Sequence, residues 1–157
     1  MTEPRGEITL QTIAMPADSN ANGDIFGGWL MGQMDLGASV LARTRARGRT
    51  ATVAVDGMEF HKPVKVGDVV SIHSVMEREG RTSMRIAVEV WITRLPVGDH
   101  LKVTQATFIF VAIDEAGKPR VLPWECREKL NNAGILNPDP GKAKPRGRTR
   151  GAELFRR

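Results

Sequence analysis

The residues best placed to do chemistry lie together between Asn22 and Gly28. A turn, Asn22-Gly23-Asp24, carries a carboxylate, and a glycine pair, Gly27-Gly28, follows it. The pair opens a long apolar stretch from Trp29 to Ala42. The first turn of a helix has unpaired N–H groups and a partial positive charge. Glycine lets a ligand approach that backbone closely. A carboxylate three or four residues ahead of such an end could handle a carbonyl whose oxygen gains negative charge. The same Asp24 could equally cap the helix or close an Asx-turn, and the segment alone leaves those roles open.

Other chemistries find little support. Asp35 is the only charged residue between Asp24 and Arg43. It is either a structural hydrogen-bond hub or a functional acid, and its place two to three turns down the helix from the glycines favours the structural role. His61, His73 and His100 form no ligand-spaced pair, so no metal site is expected, and His73 reads as structural. Cys126 has no neighbouring histidine and no partner for a disulfide. There is no GxSxG elbow, no P-loop and no GxGxxG. Nucleophilic serine or cysteine chemistry, phosphoryl transfer and nicotinamide chemistry are disfavoured.

The 157 residues suit one domain with a real core. The net charge of +5 belongs to the C-terminal end. Residues 138–157 hold seven Lys/Arg and two Asp/Glu, leaving sixteen of each sign in the rest, so the body is formally neutral. A nucleic-acid surface on the fold is not expected. No uncharged run of 18 apolar residues is present, so no membrane span is expected. The start, MTEPRGEITL, has no signal-peptide core, and cysteine usage points to a reducing cytoplasm.

The elements that must position Asp24 follow from periodicity. Residues 7–15 read as a first strand and 16–23 as a loop. In the helix Leu30, Met34, Ala38 and Leu41 share one face, with Met31 and Val40 widening it. Little of the opposite face is strongly polar, which predicts a helix buried nearly all round. Gly48, after Arg43, Arg45 and Arg47, reads as its stop. Strands are expected over 52–60, 69–79, 84–93 and 103–113, with a bulge or close approach at Gly57 and a tight hairpin at Gly80. Met84, Ile86, Val88, Val90 and Ile92 alternate with Arg85, Ala87, Glu89, Trp91 and Thr93, giving one apolar and one mixed face. Residues 123–132 read as a short helix. Domain 1–136 is followed by a basic, Pro/Gly-rich tail, 137–157, expected to be disordered. One long central helix wrapped by a curled antiparallel sheet is α+β, in the hotdog arrangement. Such a sheet leaves an edge and an apolar face to cover, so a homodimer is expected.

Three motifs carry a resemblance. The stretch from Met15 to Trp29, MPADSNANGDIFGGW, is similar to the signature of the YciA-type acyl-CoA thioesterases. Residues 60–68, FHKPVKVGD, and 80–83, GRTS, resemble them too, and the likeness runs from about Ile8 to Pro123. The resemblance implies a hotdog fold that hydrolyses acyl-CoA to free CoA and a carboxylic acid, with no metal and no cofactor beyond the CoA of the substrate. It implies Asp24 as the catalytic aspartate, at a dimer interface, in dimers that commonly form a trimer of dimers. It places Arg81, Thr82 and Ser83 near the CoA phosphates, with Lys62 a weaker candidate. His61, where an apolar residue is common, and the long basic tail depart from the pattern.

Residues and resemblance then agree on a mechanism. The thioester carbonyl points at N–H groups near Gly27 and Gly28. Asp24 acts as general base on a water, or attacks directly. Asn22 holds the water or the turn, and Thr52 contributes from a partner subunit. Arg81 suits phosphate by its fixed fork of donors. Two other classes compete, a non-catalytic acyl-CoA-binding hotdog module and a hotdog hydratase or dehydratase.

Overall fold

The computed structural model describes residues 3–123. Five strands and one long helix make up the fold: β1 (Glu7–Ile13), α1 (Gly27–Ala46), β2 (Thr50–Phe60), β3 (Val69–Glu79), β4 (Ser83–Arg94) and β5 (Asp99–Ala112). The strands form one antiparallel sheet in the order β1-β3-β4-β5-β2, with β1 and β2 as its edges. The helix lies across one face, as the α+β hotdog reading requires. The expected helix at 123–132, Cys126 and the tail 137–157 fall wholly or almost wholly outside the described residues.

The core is where the periodicities meet. Met84, Ile86, Val88, Val90 and Ile92 on β4 are all 0% exposed and face the helix. The helix answers with Leu30, Met34, Gly37, Ala38, Leu41, Ala42 and Ala46, spaced by three and four along one stripe. Gly37 sets the closeness of that contact: a Cβ there would sit 2.7 Å from the Ile72 methyl and 3.0 Å from Thr9 Oγ1. Each large apolar side chain buried here contributes roughly 1.5–3 kcal/mol.

Met31 and Val40 do not widen the buried stripe. They are 41% and 50% exposed, and Leu36 beside them is 55% exposed. A single sheet layer covers only one side of a helix, so the rest of its apolar surface stays open in one chain. The helix stop also differs from expectation. Arg47, not Gly48, takes the left-handed conformation, with φ of 51°. Gly48 instead makes room for Arg120, whose Nη2 lies 2.8 Å from where its Cβ would be. That Nη2 donates to the Ala46 carbonyl at 2.9 Å, putting a cation at the negative end of the helix.

The other sheet face is polar and carries the N-terminal arm. The Arg5 N–H donates to Glu89 at 3.1 Å, its guanidinium to Glu77 at 2.9 Å. His73, buried in mid-strand, has Nδ1 3.2 Å from the Gly6 carbonyl, in line with a structural role. Trp91, two residues on from Glu89, shares this face, and its indole N–H donates to the Glu89 carboxylate at 2.8 Å. Gly57, with φ of 63°, lies in a register shift of β2 between Asp56 and Glu59.

Candidate active site

The loop ahead of the helix is held by its own polar residues. Asn20 Oδ1 accepts from the Asn22 N–H at 2.9 Å and the Asp24 N–H at 3.1 Å. The Asx-turn therefore belongs to Asn20; Asn22, expected to hold the turn or a water, is exposed. Asp24 neither closes that turn nor caps the helix. The helix cap is Phe26, and no side chain caps the first turn. The Asp24 carboxylate instead pairs with Lys65 Nζ. Backbone ties run alongside: Asp24 and Lys65 form an isolated antiparallel bridge, and the Ile25 N–H donates to the Val64 carbonyl at 2.9 Å.

The segment that supplies Lys65 is pinned in turn by Asp68. This buried carboxylate accepts from Arg94 Nε at 2.9 Å and Nη2 at 2.7 Å, and from the Lys65 N–H at 2.8 Å. Burial pushes the Asp68 carboxyl up, but the hydrogen bonds and charge of Arg94 and the Lys65 N–H outweigh it and hold it below its ordinary value. Arg94 is raised in return, by its hydrogen bonds to Asp68.

Between this segment and the helix start lies a cleft of about 280 Å³, lined among others by Asp24, Gly27, Leu30, Phe60, His61 and Lys62. The Phe60 ring comes within 3.4 Å of where a Gly27 Cβ would be, while Gly28 faces open space. An uncapped helix end opening on a cleft can receive a developing oxyanion.

Of the expected site residues, Asp24, Gly27 and Lys62 thus share one cleft, with Gly28 beside it. The others do not join them within one chain. Thr52 lies along the helix, where its hydroxyl donates to Asp35 at 2.5 Å. Asp35 is eight residues beyond Gly27, about 12 Å along the axis. Arg81, Thr82 and Ser83 sit at the far end of the sheet. There the Arg81 and Thr82 carbonyls accept from the Leu122 and Ala112 N–H groups at 3.0 and 2.9 Å. Ser83 pairs with Val111, close to Thr50 at the start of β2, whereas the cleft lies at Phe60, its end. Sequence reasoning missed Asn20, Lys65 and Phe60. The Asn20-x-Asn22-x-Asp24 spacing carried a signal for the first, since an asparagine side chain reaches the N–H two residues on.

The fold and the uncapped helix start define a class, and comparison with known proteins identifies it. The family model described as "Thioesterase superfamily" matches residues 22–97. The chain is 54% identical over 123 residues to the acyl-CoA thioester hydrolase YciA of Salmonella typhimurium, covering 76% of this chain and 92% of that one. It belongs to the thioesterase superfamily, in the YciA-type acyl-CoA thioester hydrolase family.

Solved structures agree with the fold. One, of an aspartate-to-alanine mutant of HI0827, a hexameric broad specificity acyl-coenzyme A thioesterase, matches with TM-score 0.77 at 48% identity, covering 82% of this chain and 95% of that one. An acyl-CoA hydrolase from Staphylococcus aureus, solved as an asparagine-to-alanine mutant with coenzyme A, matches with TM-score 0.69 at 25% identity, over 80% of this chain and 85% of that one. The same hydrolase was also solved as an aspartate-to-alanine mutant. Among the described residues no helix is long and apolar enough to cross a membrane.

Proposed function

We propose that this chain hydrolyses acyl-CoA thioesters in a homo-oligomer whose active site is shared between two copies. The observation that carries the reading is the uncapped helix start at Gly27 and Gly28, opening on the cleft. Those amides take the thioester carbonyl oxygen as it becomes an oxyanion. A carboxylate removes a proton from water, the water oxygen bonds to the acyl carbon, and the C–S bond breaks to release CoA thiolate, which takes up the proton. The proposed steps draw on no metal or cofactor. The reducing cytoplasm is the proposed compartment.

Two carboxylates compete for the base. Asp24 lines the cleft, but Lys65 and the backbone bridge engage it in closing the loop. Asp35 is half-buried on the helix, and Thr52 is its one hydrogen-bond partner among the described residues. The exposed apolar residues Leu36 and Val53 near this pair favour a covering copy. β2 is an open edge strand, and two-fold antiparallel pairing with its copy turns it end for end. The partner's Thr52 and Asp35 then approach the Phe60 end, where the cleft lies. The partner's Arg81, Thr82 and Ser83 turn towards the same end, where they suit the CoA phosphates. In the S. aureus hydrolase the substituted asparagine and aspartate stand fifteen residues apart, the interval between Asn20 and Asp35 here. We therefore assign the base to Asp35, with Asn20 shaping the loop that faces it.

The test is CoA-thiol release from an acyl-CoA panel, with Asp35→Asn and Asp24→Asn beside the wild type. Asp35→Asn should lower kcat by roughly 10²–10⁴-fold. Asp24→Asn should stay within about tenfold, since an exposed ion pair is worth roughly 0–1 kcal/mol. Collapse in folded Asp24→Asn with Asp35→Asn active would return the role to Asp24. His61 stands in the cleft with Asp24, so 3-hydroxyacyl-CoA is included: a 2-enoyl product without thiol release would favour a dehydratase. Tight CoA binding without either reaction would favour a binding module.

A further inference from the structure

The cleft beside Gly27 has an apolar floor and a basic rim. Ile25, Leu30 and Val64 are 6%, 2% and 1% exposed beneath it. Asp24 is the only acid in its lining, and Lys65 neutralises it. What remains at the rim is the Lys62 ammonium and the His61 imidazole. Neither side chain has a hydrogen-bond or ion-pair partner among the described residues, in contrast to Lys65, Arg94 and Lys102.

The backbone that carries these two residues is fixed. The His61 N–H donates to the Val103 carbonyl at 2.9 Å, and the Val64 carbonyl accepts from the Ile25 N–H at 2.9 Å. Arg94 Nη2 reaches the Pro63 carbonyl at 3.5 Å, and Asp68 holds the Lys65 N–H. The segment 61–65 is thus tied to the helix loop, to β5 and to β4 at once. A cation and a ring donor carried on a fixed backbone above an apolar floor suit a short carbon chain ending in an anion. A plain alkyl chain would fill the floor and leave both donors unused.

We propose that this cleft receives the acyl group, and that His61 and Lys62 select acyl chains ending in a carboxylate, as in succinyl or glutaryl thioesters. The inference rests on the hydrolase reading above and names its substrate class. The competing anion of like chemistry is the pyrophosphate of CoA itself. The two sources separate cleanly. A contact to the acyl carboxylate acts only on acidic acyl groups, whereas a contact to CoA acts on every CoA ester alike.

The experiment measures kcat/KM for butyryl-, hexanoyl-, succinyl- and glutaryl-CoA, with wild type, His61→Ile and Lys62→Gln. Both positions are exposed, and thermal melting checks that each variant folds. The expected result is a wild-type preference for succinyl over butyryl, with the ratio falling tenfold or more in each variant. A wild type that hydrolyses butyryl-CoA with an equal or greater preference would overturn the inference and leave the hydrolase reading standing. Variants that raise KM for all four esters by one common factor would also overturn it, and move both residues to the CoA phosphates. Release of thiol from none of the four by the wild type would bring down the hydrolase reading and this inference with it.

Discussion

Asp68→Asn tests whether the loop that walls the cleft is held by one buried carboxylate. The side chain is 3% exposed and accepts three hydrogen bonds, two of them from Arg94. Asparagine keeps the shape but only one acceptor oxygen, and its amide N–H₂ then faces an Arg94 donor. Net hydrogen bonds to charged groups are worth about 1.5–3 kcal/mol each, so losing one and weakening the others costs on that order. Arg94 is 37% exposed and regains hydration, which trims the loss to about 1.5–2 kcal/mol. For a chain of this size that lowers Tm by roughly 3–8 °C. The pH dependence has a definite sign. An acid whose folded pKa lies below its unfolded value stabilises the fold above the unfolded value and loses that contribution as pH falls through the folded one. Asp68 is lowered from 3.8, so the Tm gap between wild type and variant should be constant at neutral pH and shrink as pH drops below about 3.8. Melting curves at one fixed protomer concentration, from pH 7 down to the acid limit of the fold, read both effects. Equal Tm values at pH 7, or a gap that widens in acid, would refute this account of the loop.

Gly37→Ala sets two effects against each other. Alanine gains about 1 kcal/mol in helix propensity, while a Cβ 2.7 Å from a buried Ile72 methyl forces the helix off the sheet at roughly 1–3 kcal/mol. The crowding should win by about 1 kcal/mol in urea denaturation; a stabilised variant would show that the contact relaxes freely. Val53→Lys acts on association. Val53 is 57% exposed in the single chain, so folding should change by only about 0.5 kcal/mol. On the open edge of β2, the lysine should shift the protein to smaller species in light scattering, with loss of turnover. An unchanged assembly would place the interface elsewhere.

Much of the fold was legible because each element carries its own period. The alternation from Met84 to Ile92 marks β4 and its buried face, and Gly57 and Gly80 mark a bulge and a hairpin. The helix was legible on one side only. Leu30, Met34, Ala38 and Leu41 are buried as spacing requires, but hydrophobicity alone cannot say what covers Met31, Leu36 and Val40. Strand order was not legible, since β2 pairs with β5 across 44 to 62 residues and no local pattern encodes that. Nor was the helix end: Gly48 looked like the stop because glycine usually is, yet Arg120 accounts for its small size and lies far away in sequence.

The candidate amides can be read locally and the proposed base cannot, for a physical reason. Free N–H donors are a property of one helix end, so Gly27 and Gly28 mark the candidate oxyanion amides in sequence. A base needs only to reach the water, and nothing requires it to belong to the same chain. Asp24 stands close to the glycines in sequence, and proximity made it the natural choice. In the structure its carboxylate pairs with Lys65 as the loop closes. Asp35 looked remote because about 12 Å of helix separates it from Gly27 in its own chain. Across the proposed two-fold axis through β2 that distance would become an advantage: a residue displaced towards one end of the subunit would be carried to the opposite end of its partner. A mixed oligomer of Asp35→Asn chains and Gly28→Pro chains should therefore recover part of the activity that each lacks alone. Proline at Gly28 removes one oxyanion amide, so sites that pair an intact helix start with an intact Asp35 arise only in mixed dimers. Recovery after co-refolding, read as thiol release against unmixed controls, is the expected result. No recovery in verified mixed oligomers would place base and amides in one chain and overturn the shared site.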